Sequence, residues 1–315
     1  MSPSNSFIDH DVYKSLFFTS SDHLKLHVRH YGAVGSPKDQ PQLPIVCLHG
    51  LARNSHDFHP LARRLSDDGR DVFVPDYRGR GRSDFAQDWQ TYTLKNELDD
   101  LLLILEALKI SRAIFIGTSR GGLLTMLLSS LYPQMIAGAV LNDIGPVMEI
   151  KGLERICSYV GKLPTPNSQE EAVYCVKKVF SQYFPSFSDK DWQFYARGTW
   201  HEVVQEAVQE AAQEETHQNT SEWQLSYDPN VMKPFESLDL EKLAEPIWPI
   251  FETLKTIPTF IIRGEMSDLL SEQTVAHMCE MHPNAISYTV KGQGHAPLLR
   301  DEITCEMIKR FCRAI

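Results

Sequence analysis

Short apolar runs alternate with amphipathic helical stretches, and that rhythm limits the folds open to this chain more than any other feature. Pro44 to Leu48, Asp71 to Val74, Ala113 to Ile116 and Ile136 to Leu141 are the apolar runs. Between them lie helical patterns, such as the stripe Leu94, Leu98, Leu101, Leu102, Leu105 and Leu108. Strands this short and this apolar are buried on both faces, which implies a parallel sheet covered by helices on each side. Leu16 to Thr19 and the alternating His23 to His30 precede them and suit an antiparallel edge. The rhythm stops near Gly145-Pro146. It resumes at Thr259 to Ile262, then Glu272 to Met281 (helical), Ile286 to Val290 (strand) and a closing helix around Ile303 to Phe311. The interruption predicts two parts: a core over 1–145 and 246–315, and an inserted helical lid over 146–245.

Within the insert, Ser168 and Glu171 form a capping-box signature ahead of Ala172, Val173, Val176, Val179 and Phe180. Trp200, Val203, Val204, Ala207, Val208 and Ala211 read as a second helical stripe, and Trp223, Leu225 and Tyr227 as a short strand. A chain of 315 residues suits one large domain with such an insertion. The expected fold class is α/β, an eight-stranded and mostly parallel sheet with flanking helices and the lid.

Gly117-Thr118-Ser119-Arg120-Gly121 sits where a strand would turn into a helix. A G-x-S-x-G at that point makes a nucleophile elbow: the small flanking residues permit a tight turn, and the serine projects at the top of the sheet. A serine hydroxyl needs a base. Of the 12 histidines, His295 is the best placed, in a glycine-rich loop just past the last strand. His49 is its competitor, but in a His-Gly turn it reads as a residue that shapes the loop. The base needs an acid to fix its tautomer. Asp268 follows the strand Thr259 to Ile262 and gives the chain order Ser119, Asp268, His295. Asp143, after Ile136 to Leu141, and Glu265 compete for the role. Backbone N–H groups of Leu51 and Arg120 are the expected oxyanion donors. Arg53 and Arg120 flank that site and could grip a substrate carboxylate or be structural. Trp192, Tyr195, Trp200, Trp223 and Tyr227 could line a pocket or pack the lid on the body.

These motifs resemble the α/β-hydrolase superfamily over nearly the whole chain. His49-Gly50 is similar to its oxyanion loop, and Asp76-Tyr77-Arg78-Gly79-Arg80-Gly81-Arg82-Ser83 to its D-x-R-G-x-G-x-S loop. The elbow, acid and histidine follow in family order, and the insert lies where family cap domains lie. Within the superfamily the chain resembles small-molecule esterases and enol-lactonases of the 3-oxoadipate enol-lactonase kind. The family's acid often sits three residues after the loop glycine, whereas Asp268 is four after Gly264. Serine at the elbow, where dehalogenases and epoxide hydrolases carry aspartate, points to acyl chemistry. The resemblance implies hydrolysis of a small ester or lactone, or of a thioester, through an acyl-enzyme. Carbon–carbon bond hydrolysis, a cofactor-free lyase step and a non-catalytic receptor on the same scaffold remain alternatives.

No clustered Cys/His spacing suggests a metal, and no nucleotide loop is present, so neither metal nor cofactor is expected. A net charge of -10 argues against binding a phosphate backbone. The N-terminus lacks a signal-peptide pattern and no run is long enough to span a membrane. Six cysteines without a CxxC pair read as reduced thiols. The expectation is a cytoplasmic protein whose partner is a small-molecule substrate, with its oligomeric state open.

Overall fold

In a computed structural model, residues 12–35, 42–206, 219–236 and 239–315 are described. The strands are β1 (Lys14–Thr19), β2 (Lys25–Tyr31), β3 (Ile45–Leu48), β4 (Val72–Pro75), β5 (Ala113–Thr118), β6 (Ile136–Asn142), β7 (Trp200–Glu206), β8 (Asn219–Leu225), β9 (Thr259–Gly264) and β10 (Ala285–Val290). The helices are α1 (His59–Asp67), α2 (Leu94–Ala107), α3 (Arg120–Leu131), α4 (Ile150–Tyr159), α5 (Gln169–Phe180), α6 (Asp189–Thr199), α7 (Lys233–Glu236), α8 (Leu240–Leu243), α9 (Trp248–Glu252), α10 (Glu272–Met281) and α11 (Glu302–Arg313).

Eight strands form one sheet in the order β1-β2-β4-β3-β5-β6-β9-β10. β1 with β2 and β2 with β4 pair antiparallel, and every later pair is parallel. The central strands β3, β4, β5, β6 and β9 have almost no solvent-exposed residue, because helices cover both faces. One apolar layer joins α2 and α3 to Val46, Phe115 and Leu141. The opposite layer joins α1 and α11 to Ile45, Ile116 and Ile262. α11 shows how the sequence sets this. Its apolar stripe Ile308, Phe311 and Cys312 is buried, and the Asp301 carboxylate caps its first turn by accepting from the Thr304 N–H.

Between β6 and β9 the chain leaves the sheet. The segment carries α4 to α9 and the antiparallel hairpin β7–β8. The predicted helix from Trp200 is in part a strand: Trp200–Glu206 is β7, paired with β8 from Trp200↔Leu225 to Glu206↔Asn219. Ala207, Val208 and Ala211 of that stripe lie outside the described residues. Trp200 is buried, whereas His201 and Glu202 after it are exposed. Trp192, Tyr195 and Trp200 pack with Phe180 and Phe184 into a separate apolar cluster that includes Leu298. This insert is tied to the core at several points. Asn54 Nδ2 donates to the Gly198 carbonyl (2.8 Å), Gly81 N to Ser226 O (2.8 Å), and the Tyr92 hydroxyl to Asp228 (2.6 Å). Among the described residues no helix is long and apolar enough to cross a membrane.

Candidate active site

β5 ends at Thr118 and α3 begins at Arg120, so Ser119 alone makes the turn between them. Its φ of 51° and ψ of -114° lie far from the helical and extended basins. The turn is possible because its flanks have no side chains. A Cβ on Gly117 would sit 2.4 Å from Gly121 C, and one on Gly121 would sit 2.1 Å from the Leu48 carbonyl oxygen. The strained backbone is held by the Ser119 N–H donating to Asn142 O (2.9 Å) and by the Ser119 carbonyl accepting from Gly122 N (2.8 Å).

Ser119 Oγ donates to His295 Nε2 at 2.8 Å, and His295 Nδ1 donates to Asp143 Oδ2 at 2.8 Å. A buried carboxylate can only accept, so it fixes the Nδ1–H tautomer and leaves the Nε2 lone pair for the serine. The histidine loop is itself anchored: Asn142 Nδ2 donates to both Pro297 O (2.9 Å) and Thr118 Oγ1 (3.0 Å).

The structure therefore brings Ser119 and His295 together as predicted, but places Asp143, not Asp268, on the imidazole. Asp268 is turned the other way and accepts two hydrogen bonds from Arg155 of α4, at 2.6 and 2.7 Å. The cause lies in the loop after β9. Ser267 N donates to Gly264 O (2.9 Å), closing a turn that ends one residue short of Asp268. That turn supplies donors instead of an acid: Gly264 N and Ser267 Oγ both donate to Asp143, at 2.7 and 2.6 Å. Asp143 stands one residue past β6 with φ of 56°. Glu265, the third carboxylate considered, accepts from Gly292 N (2.8 Å) and not from His295.

Leu51 and Arg120 both line cavities with Ser119. Arg120 is the first residue of α3, where N–H groups have no helical acceptor. A buried cluster invisible to sequence reading fixes both. Glu97 on α2 accepts from Arg120 Nε (2.6 Å) and pairs with Arg80 (3.0 Å), while Arg80 Nε donates to the Leu51 carbonyl (2.9 Å). Burial alone would raise the Glu97 pKa, but the charges of Arg120 and Arg80 outweigh it and hold it low. Only the R-G-x-G loop hinted at Arg80, and nothing in the spacing of Glu97 singled it out.

His49 is structural. It accepts from Tyr77 N at Nε2 (3.2 Å), its Nδ1 donates to Gly50 O (2.8 Å), and burial lowers its pKa. Arg53 is also engaged by the protein. It binds Asp57 twice (2.7 and 2.6 Å), Thr199 Oγ1 (2.7 Å) and the Tyr195 carbonyl (3.3 Å). Of the insert's aromatics, Tyr195 and Tyr227 line the cavity at Ser119, whereas Trp192, Trp200 and Trp223 pack within the insert. That cavity lies between Ser119, His295 and the insert, is partly open to solvent, and offers about 80 Å³ to a water-sized sphere. No cluster able to hold a metal ion occurs among the described residues.

Comparison with known proteins gives the arrangement its context. A family model described as alpha/beta hydrolase fold matches residues 44–302. The chain is 31% identical over 289 residues to a 3-hydroxybutyrate-oligomer hydrolase of Cupriavidus necator, covering 91% of this chain and 93% of that protein. It is 25% identical over 278 residues to a 2-(acetamidomethylene)succinate hydrolase of Mesorhizobium japonicum, covering 86% and 88%. Among solved structures, an alpha/beta hydrolase from Novosphingobium aromaticivorans superposes with a TM-score of 0.82 at 35% identity, covering 96% of this chain and 99% of that one. With the sheet order, the serine elbow and the hydrogen-bonded Ser119–His295 pair, these matches establish that the chain belongs to the α/β-hydrolase family and is a hydrolase.

Proposed function

We propose that the enzyme hydrolyses a small carboxylic ester through an acyl-enzyme on Ser119, with short esters of hydroxy acids as its substrate class. The observation that carries the mechanism is the continuous relay from Ser119 Oγ through His295 to Asp143. His295 takes the serine proton as Oγ attacks the ester carbonyl, and the imidazolium that forms is balanced by the buried Asp143 carboxylate. The Leu51 and Arg120 N–H groups stabilise the oxyanion. His295 then gives the proton to the departing alcohol, and water repeats the sequence on the acyl-enzyme. A lactone or thioester would meet the same groups. The similarity to a hydrolase of 3-hydroxybutyrate oligomers supports the hydroxy-acid class.

Two measurements test this. Ser119→Ala is expected to lower turnover of a nitrophenyl butyrate by about 10⁶-fold, as loss of a triad nucleophile does. A fluorophosphonate should label wild type on Ser119 and leave Ser119→Ala unlabelled. Unchanged turnover in the variant would remove Ser119 from the reaction.

A further inference from the structure

A second serine is hydrogen-bonded to a histidine that is in turn held by an aspartate. His27 on β2 donates from Nδ1 to Asp76 Oδ2 at 2.7 Å, and its Nε2 stands 3.1 Å from Ser15 Oγ on β1. The carboxylate can only accept, so the ring proton sits on Nδ1 and the Nε2 lone pair faces the serine. Arg82 Nη1 donates to Ser15 Oγ at 2.9 Å, which leaves the serine its own proton to direct at His27. His27 and Asp76 are buried, while Ser15 is half-buried at the surface. Acid and base inside with the nucleophile facing outward is also the arrangement at Ser119.

The surroundings of Ser15 are cationic. The antiparallel register Ser15↔Arg29, Phe17↔His27 and Thr19↔Lys25 sets these side chains on one face of the hairpin. Lys25 Nζ lies 4.1 Å from the centre of the exposed Phe17 ring, and the Arg82 guanidinium 5.4 Å from it. Arg29 covers the Tyr13 ring at 4.7 Å, and its Nε is buried with no hydrogen-bond partner among the described residues. The acids that meet these groups are Asp76 and Asp84, whose carboxylate accepts from the Lys25 N–H at 2.8 Å. Three cations against two carboxylates make this an anion-attracting face on a chain of net charge -10.

We propose that Ser15, His27 and Asp76 form a second acyl-acceptor site, which takes an acyl group from an acyl phosphate. Ser15 Oγ attacks the acyl carbon and forms the new C–O bond, while its proton passes to His27 Nε2. Arg82, already on Oγ, is placed to steady the oxyanion. The C–O bond to the phosphate then breaks, and the departing phosphate takes the proton from His27. The products are an O-acylserine and inorganic phosphate. Arg29 and Lys25 supply the charge that a phosphate leaving group needs, and the free Arg29 Nε–H supplies a donor. A neutral fluorophosphonate has no such charge to offer, so the site is silent to the probe that reports Ser119. Ser119 takes no part, and the site stands or falls apart from the hydrolase reading.

The test uses the full chain carrying Ser119→Ala, incubated with acetyl phosphate at about pH 8, where an ordinary imidazole is neutral. Peptide mass spectrometry locates and times each acetylation. Ser15 should react about 10²-fold faster than the exposed Ser287 of β10, the gain a positioned general base gives. Excess inorganic phosphate should slow Ser15 and leave Ser287 unchanged. With nitrophenyl acetate, a neutral donor, the Ser15-to-Ser287 ratio should fall by about fivefold, the scale of one exposed ion pair. Acetylation of Ser15 at the rate of Ser287, or of lysines alone, overturns the site. An equal ratio with both donors overturns the acyl-phosphate class, as does a phosphoryl group found on Ser15.

His27→Gln, made with Ser119 intact, tests the base. Ser15 should drop to the rate of Ser287 while hydrolysis of nitrophenyl butyrate continues, which shows the chain folded. Fast acetylation of Ser15 in that variant removes His27 from the step. The phosphate competition needs no change in β1 or β2, so it decides the proposal even where His27→Gln fails to fold.

Discussion

Asp143 accepts from a backbone N–H, a serine hydroxyl and an imidazole, all within 2.6 to 2.8 Å. Asp143→Asn keeps the shape but puts an NH₂ group where Nδ1–H must be accepted. The imidazole then adopts the Nε2–H tautomer and cannot take the serine proton. Turnover is expected to fall about 10⁴-fold with the fold intact, the loss a triad acid shows on amidation. Steady-state kinetics beside a circular dichroism spectrum check it. Asp268→Asn separates the two carboxylates. It strands the Arg155 guanidinium, whose side chain is 9% exposed, and should cost about 3–5 kcal/mol of stability. Its activity, measured well below the melting temperature, should stay within about tenfold of wild type. A large loss of activity in Asp268→Asn with none in Asp143→Asn would return the role to Asp268. Chain order pointed to Asp268, and order says only which strand ends come next. The four-residue turn that leaves Asp268 facing α4 is a backbone property that Gly264 to Ser267 do not advertise in their side chains. The one legible sign was that Asp268 lies four residues, not three, after the glycine.

At the scale of elements, the junction of β5 with α3 is tight, since α3 starts directly against Leu48 of β3. Gly121→Ala forces a methyl against the backbone carbonyl of Leu48, at the end of the central strand β3 where it pairs with Gly117 of β5. The expected cost is about 1–3 kcal/mol, as for overpacking elsewhere, together with displacement of Ser119 and a loss of activity of about 10²-fold or more. A thermal melt and a butyrate assay read both; a fully active, fully stable variant would mean that the helix can slide away from β3. The elbow was legible because its glycines are demanded by backbone contact, and β3, β4, β5, β6 and β9 were legible because burial on both faces leaves a run of apolar residues. β7 was not. Trp200, Val203 and Val204 have a spacing that a helix face also has, and the partner that makes them a strand, β8, begins 13 residues after β7 ends. Non-local pairing of that kind leaves no periodic trace of its own. The Arg80–Glu97–Arg120 cluster escaped for the same reason, because three elements distant in sequence meet only in the folded chain.

At the scale of the whole molecule, Asp76 connects parts of the core that the sheet alone leaves separate. Its buried carboxylate accepts from His27 Nδ1 on β2 (2.7 Å), from Ser55 N beyond the oxyanion loop (2.6 Å) and from Arg82 N (3.1 Å). Burial by itself would raise its pKa, but the hydrogen bond and charge of His27, with the nearby His49 and Arg29, bring it down to about 2 from 3.8. A folded-state pKa below the unfolded one means that folding favours the charged form. The stabilisation is therefore complete above about pH 4 and is lost as the pH falls through about 2. Glu97 is lowered in the same sense, whereas Asp100, raised by its burial, acts in the opposite one. Asp76→Asn removes the titrating group, so the variant should be less stable than wild type at pH 7. Its stability should also change less between pH 4 and pH 2, the interval over which wild type loses the contribution. Urea unfolding at a series of pH values measures both quantities. Parallel wild-type and variant curves across that interval would show that Asp76 is not the group whose protonation loosens the core, and would leave Glu97 as the carboxylate to examine by the same substitution to its amide.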